Sequence, residues 1–228
     1  MSAEEYFGDW SGFLDLKEAG RIMKKLSASN ISICPEKKNI FKAFKLCSYH
    51  DVRVVIVSQD PYPDIYNKVP RATGIAFANS SDTPEKYYSK SLEVLKESVI
   101  DYTVPHRIVI FDPSLEKWEE QGVLLLNSAL TCQQGKIGSH TLMWRPFISK
   151  FLTNLSTYST GIVYVLMGSQ AQSLESYINP KFNYVLRCRH PAWYARNGTR
   201  MPSDIWKEIN KILINLNGYG IEWYKEYN

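Results

Sequence analysis

Three runs of consecutive apolar residues punctuate the chain: Val54-Val55-Ile56-Val57, Val123-Leu124-Leu125-Leu126 and Ile162-Val163-Tyr164-Val165-Leu166-Met167. A looser fourth follows at Asn183-Tyr184-Val185-Leu186-Arg187. Short unbroken runs rich in β-branched residues predict strands buried on both faces. Between them the apolar positions recur at helical spacing. Within residues 1–50, Phe13, Leu14, Leu16, Ile22, Met23 and Leu26 alternate with Lys and Glu, and a short helix from Lys38 to Leu46 turns Ile40, Phe41, Phe44 and Leu46 inward. Helices are also predicted from about Tyr88 to Ile100, Trp144 to Leu155 and Pro202 to Leu216, the last with a first-turn proline and Ser203 as its cap. Alternation of strands and helices implies βαβ units. The expected fold is therefore α/β: a single three-layer α/β/α domain over residues 1–228, with a central, mostly parallel four-stranded sheet and a helical N-terminal extension over 1–34.

Each predicted strand runs into polar residues. Asp60, Asn127, Ser169 and His190 each follow the carboxyl end of a different strand, so a parallel sheet gathers them on one rim, where open α/β sheets bind ligands. The first of these ends is Gln59-Asp60-Pro61-Tyr62-Pro63. Proline disfavours the helical region for the residue before it, which holds Asp60 and Tyr62 extended. The connection from Asp64 to Thr73 is long for a strand connection and so favours function over linkage. Taken singly, Asp60 reads as a turn carboxylate, Asn127 as a helix cap and Phe77 as core; the shared rim is what makes a site of them.

Composition narrows the class without choosing a reaction. The chain has 228 residues, of which 44% are hydrophobic and 22% charged, with a formal net charge of +4. Such a mildly basic balance permits a polyanionic partner and does not demonstrate one. No apolar run approaches the ~20 residues that span a bilayer, and the polar start Met1-Ser2-Ala3-Glu4-Glu5 is no signal peptide, so an intracellular, soluble monomer is the expectation. Cys34, Cys47, Cys132 and Cys188 are scattered without a close pair, which argues against a zinc site or a disulfide framework; neither metal nor cofactor is expected.

Gln59-Asp60-Pro61-Tyr62, Gly74-Ile75-Ala76-Phe77, Leu124-Leu125-Leu126-Asn127, Gly138-Ser139-His140, Gly168-Ser169-Gln170-Ala171-Gln172 and His190-Pro191 stand in one order and spacing. In this the chain resembles the uracil-DNA glycosylases of the main cellular and viral type over roughly residues 35 to 225. The resemblance implies hydrolysis of the N-glycosidic bond of a uracil flipped out of DNA, the opening step of base excision repair. Asp60 would position water and stabilise the cationic sugar, and His190 would hydrogen-bond O2 of the leaving base. Asn127 would read the base, Phe77 would stack on it, Tyr62 would exclude a 5-methyl group and Gln59 would join the uracil contacts. Ser91 and Ser169 resemble phosphate-gripping serines. His140 reads equally as a group supporting the site or as a helix cap.

The chemistry agrees with those roles. Breaking a glycosidic bond builds oxocarbenium character, which a fixed carboxylate stabilises. Uracil leaves as a delocalised anion, so a neutral histidine donor suffices. An asparagine amide accepts from uracil N3–H while donating to O4, and cytosine reverses both roles. No lysine stands in these motifs to form an amine adduct, so excision without strand cleavage is expected. The departures cluster elsewhere. Ser58 replaces the family's usual glycine and Pro63 its histidine, and residues 64–73 lack its glycine-rich sequence. His190-Pro191-Ala192-Trp193-Tyr194-Ala195-Arg196 replaces a family run in which serine grips phosphate and leucine wedges into the vacated base stack. There Tyr194 takes the wedge position, and Arg196 or Arg200 supplies charge in place of the lost hydroxyl. Two alternatives stay open on this sequence: an inactive DNA-binding or replication-accessory protein of the same fold, and a glycosylase for a modified pyrimidine.

Overall fold

A computed structural model describes residues 2–100 and 108–227. Its centre is a four-stranded sheet of β1 (Val54–Ser58), β2 (Val123–Asn127), β3 (Val163–Met167) and β4 (Tyr184–Cys188), in the order β2-β1-β3-β4. All three pairings are parallel. The side chains of β1 to β3 are buried throughout, as their unbroken apolar runs require.

Strand alternation divides the core in two. Val55, Val57, Leu124, Leu126, Tyr164 and Leu166 face one way, against α1 (Leu16–Ala28) and α3 (Thr141–Tyr158), with Trp10, Phe44 and Phe151 filling the layer. Val54, Ile56, Val123, Leu125, Val163 and Val165 face the other way, against α2 (Lys90–Val99) and α5 (Asp204–Asn217), with Trp118 and Trp206 between them. The fold is the expected three-layer α/β/α arrangement. No helix of the described residues is long and apolar enough to cross a membrane.

Several local expectations differ from what the chain adopts. The segment after His190, for which no helix was expected, forms α4 (Pro191–Asn197), with His190 as N-cap, Pro191 in its first turn and Gly198 left-handed at its end. Helix α3 starts at Thr141 and runs 18 residues through Pro146, since losing one amide bond does not break so long a helix. Ser203 stands at the N-cap position of α5, but its backbone is already helical and its hydroxyl makes no capping bond. Residues 64–73 contain a two-residue hairpin, Ile65–Tyr66 against Val69–Pro70, turned by Asn67 and Lys68 at positive φ. Two further short ladders, Ile33–Cys34 with Cys132–Gln133 and Ile108–Ile110 with Lys225–Tyr227, lie outside the central sheet.

Candidate active site

The sheet register brings the four polar strand ends together. Ser58 pairs with Asn127, Val57 with Leu166 and Met167 with Cys188, so all four strands end at nearly one level. Beyond that level opens a cleft of about 580 Å³, lined by Gln59, Asp60, Tyr62, Ser91, Ser169 and His190 among others.

Asp60 presents its two oxygens differently. Oδ2 accepts the Gly138 amide at 2.8 Å and the Gln59 side-chain amide at 3.2 Å, whereas Oδ1 is buried without a partner. Burial raises the Asp60 pKa above the ordinary carboxylate value, and the two donated bonds oppose that rise. Gly138 thus supports the site through its backbone, two residues before His140. The His140 ring makes no capping bond although it occupies the N-cap position of α3. Its Nδ1 pairs with the Thr131 hydroxyl at 2.9 Å, and that oxygen accepts Trp144 Nε1–H at 2.7 Å.

His190 is held from several sides. Its backbone crosses Gly168, whose φ of 87° and lack of a side chain permit the approach; an added Cβ there would lie 2.9 Å from His190 Cβ. Its Nδ1 accepts the Ala192 amide at 3.1 Å, which assigns the proton of the neutral ring to Nε2. Nε2 lies 3.0 Å from Ser58 Oγ, and the ring sits 5.4 Å from that of Phe77. Burial, assisted by the charge of Arg196, lowers the His190 pKa to about 4, so the ring is neutral at physiological pH.

Asn127 is buried, and its Oδ1 has no partner. An unpaired buried acceptor is costly, and this one sits at the level where the cleft begins. Tyr62 and Phe77 form one locked unit. The Tyr62 hydroxyl donates to the Phe77 carbonyl at 2.8 Å and accepts from the Ser89 hydroxyl at 2.6 Å, while Ser89 caps α2 through the Leu92 amide. Phe77 has φ of 67°, a strained conformation for a bulky residue of the kind that recurs at functional sites.

The outer edge is built from α2, the segment after β3 and α4. Ser91 sits buried on α2, and Ser169 follows β3. Ala192, Trp193 and Arg196 line the cleft from α4, and the Arg189 guanidinium lies 3.9 Å from the Trp193 ring. Tyr194 packs half-buried against the apolar layer shared by α2 and α5, meeting Trp193 edge-on at 5.2 Å. Ile137, 68% exposed, completes the lip opposite. Sequence reasoning missed the structural contributions of the Gly138 amide, Trp193 and Arg189. A proline after His190 and a glycine seven residues later were the available signals for α4. Among the described residues no group of three His, Cys, Asp or Glu is placed to hold a metal ion.

The family model of the uracil DNA glycosylase superfamily matches residues 44–214. A uracil-DNA glycosylase of Buchnera aphidicola (subsp. Acyrthosiphon pisum, strain Tuc7) is 33% identical over 205 residues, covering 90% of this chain and 89% of the relative. One from Mycoplasmopsis pulmonis is 32% identical, covering 94% of this chain and 96% of the relative. Among solved structures, the mimivirus uracil-DNA glycosylase superposes with a TM-score of 0.73 at 23% identity, over 98% of this chain and 93% of that one. A variant of the mimivirus UNG in complex with UGI superposes at 0.80 over 95% and 88%, also at 23% identity; both likenesses bear on the fold. The chain belongs to the uracil DNA glycosylase superfamily.

Proposed function

We propose that Asp60, Asn127 and His190 carry the hydrolytic excision of uracil from DNA that is the activity of this chain. The observation that supports these assignments is the pair of orphaned oxygens. Asp60 Oδ1 and Asn127 Oδ1 are both buried acceptors without partners, and the neutral histidine donor follows β4 of the same sheet. A buried unpaired acceptor costs roughly 1–3 kcal/mol, a price folding alone does not explain.

A uracil reaching this slot must leave the helical stack, at a cost of a few kcal/mol. Asn127 Oδ1 then accepts N3–H, and its amide nitrogen donates to O4. Cytosine offers an acceptor and a donor in the opposite places and leaves both buried groups unpaired. Thymine is turned away by Tyr62, whose ring cannot yield because its hydroxyl is tied to Phe77 and Ser89. That rigidity also disfavours a 5-modified pyrimidine as the substrate.

As the bond from C1′ to N1 lengthens, its electron pair goes to the base and positive charge grows on the sugar. The Asp60 carboxylate stabilises that cation. Its Oδ1 orients a water whose oxygen bonds to C1′, and the carboxylate takes the released proton. Negative charge on O2 meets His190 Nε2–H, which needs no prior protonation. The products are uracil and an abasic site in an unbroken strand, because no lysine is among the described residues lining the cleft.

The test is excision from a uracil-containing oligonucleotide, read as alkali-labile breaks. The parent protein is expected to release uracil and leave alkali-labile sites, and Asp60→Asn and His190→Leu are each expected to lose roughly 10²- to 10³-fold in rate. If both variants keep the parental rate, the assignments are wrong.

A further inference from the structure

The Ser58 hydroxyl touches the catalytic histidine and has no part in the mechanism above. Ser58 ends β1, is 1% exposed, and its Oγ lies 3.0 Å from His190 Nε2. Nδ1 already accepts the Ala192 amide, so Nε2–H is the donor and Ser58 Oγ the acceptor. That leaves the serine with its own proton. Among the described residues its Oγ makes no other hydrogen bond.

The ring cannot turn away to meet a substrate. Gly168 fits against His190 Cβ without room for a side chain, the Ala192 amide fixes Nδ1, and Phe77 stands beside the ring. O2 of a bound pyrimidine must therefore come to the proton that Ser58 already shares. Two oxygens facing one N–H lie within reach of each other and repel unless one donates to the other. Only the serine has a proton to give.

We propose that Ser58 is a second hydrogen-bond donor to O2 of the leaving pyrimidine, its hydroxyl turning from accepting His190 Nε2–H to donating beside it. The inference rests on His190 meeting O2. The serine keeps its proton throughout, so no covalent or proton-transfer step is added. Charge that develops on O2 then meets two fixed donors in a water-poor site, where each counts for more than in water. A glycine here, the residue usual in the family, leaves His190 Nε2–H the sole donor of the pair.

Single-turnover excision by the parent, Ser58→Ala and Ser58→Gly separates this role from packing. Both variants are expected to lose about 10- to 100-fold on uracil, below the loss typical of a lone oxyanion donor because His190 remains. Their half-saturating DNA concentration should stay within about threefold of the parent's, since the interaction grows only as charge develops. On an oligonucleotide carrying 5-fluorouracil, whose fluorine is scarcely larger than the hydrogen it replaces and so passes Tyr62, and whose anion leaves more readily, the loss should shrink. Equal losses on the two bases, or a rate within about threefold of parental in either variant, overturn the proposal. A parent that excises uracil, with Asp60→Asn inactive beside it, shows that such an outcome concerns Ser58 alone; an inactive parent overturns the reading of the whole site.

Discussion

The floor of the cleft and its rim are built on different principles. On the floor, Asp60, Asn127, Ser58 and His190 sit at or just past the ends of strands whose registers fix them to one another. Gly138, Ala192 and Gly168 then hold individual side chains through backbone contacts. At the rim, Arg196 is exposed at the end of a seven-residue helix, and Ile137 stands on an open loop. Bond cleavage tolerates little displacement, because a misplacement of about 1 Å costs as much as 10²-fold. Gripping a polyanion relies on charge and stacking, which tolerate varied geometry. It is at the rim that the sequence departs most from the family run, and on the floor that it departs least.

Short of removing a reacting group, the largest effect should come from disturbing the floor. Gly168 has φ of 87°, and an alanine Cβ would meet His190 Cβ at 2.9 Å. Gly168→Ala is expected to slow excision about 10²-fold by shifting the ring. It should also cost roughly 1–2 kcal/mol of stability through left-handed strain. Single-turnover kinetics beside thermal melting read both. A floor that absorbed the methyl with little loss of rate would show that registration of His190 matters less than argued.

The pH dependence is the next test and distinguishes the two groups proposed as catalytic. Asp60 must be ionised to work, and burial raises its pKa, so activity is present above that pKa and lost as pH falls through it, by about tenfold per unit. His190, with its pKa lowered to about 4, stays neutral well into acid, so its protonation is not expected to set the upper part of that limb. The acid limb should persist in the residual rate of His190→Asn and vanish from that of Asp60→Asn. The linkage signs differ too. The fold binds the Asp60 proton more tightly than the unfolded chain does, so ionising Asp60 costs stability as pH rises through the raised pKa, and Asp60→Asn should melt higher than the parent at neutral pH. The unfolded chain binds the histidine proton more tightly, so the His190 contribution to stability is lost as pH falls from about 6.5 towards 4.

The floor was also the more legible half. A strand buried on both faces needs an unbroken apolar run, and a polar residue at its end stands out, so Asp60, Asn127 and Ser169 were visible as strand ends; His190 follows the looser β4, and the family resemblance supplied the roles. Parallel pairing of the strands places all of these ends on one rim. What was not legible depended on contacts remote in sequence. The Gly138 amide reaches Asp60 across 78 positions and Ser58 reaches His190 across 132, and neither leaves a local trace. Helix α4 was obscured differently: Pro191 and Gly198 are its proper end signals, but seven residues carry little periodicity between them. The strand pair Ile108–Ile110 and Lys225–Tyr227 is short and largely exposed, so it has no apolar run to reveal it.

The smallest effects belong to the rim, and there three neighbours on one helix should separate. Arg196 is exposed at the cleft mouth, so Arg196→Ala should weaken DNA binding modestly for every sequence and lower the salt slope of log K by about 0.7–0.9, the share of one phosphate contact. Trp193 lines the cleft beneath the Arg189 guanidinium, and losing one stacking platform of about 1 kcal/mol would cost roughly fivefold in affinity. Tyr194 is different, because its ring packs half-buried against the layer between α2 and α5. To serve as the wedge that its position in the sequence suggests, that ring would have to leave its packing, paying the burial back. Tyr194→Ala is therefore expected to lower the melting temperature while changing affinity less than Trp193→Ala. Anisotropy titrations over a series of salt concentrations, with melts of the same three variants, decide the matter. A Tyr194→Ala protein that melts normally but loses more affinity than Trp193→Ala would make the tyrosine the wedge and the tryptophan its support.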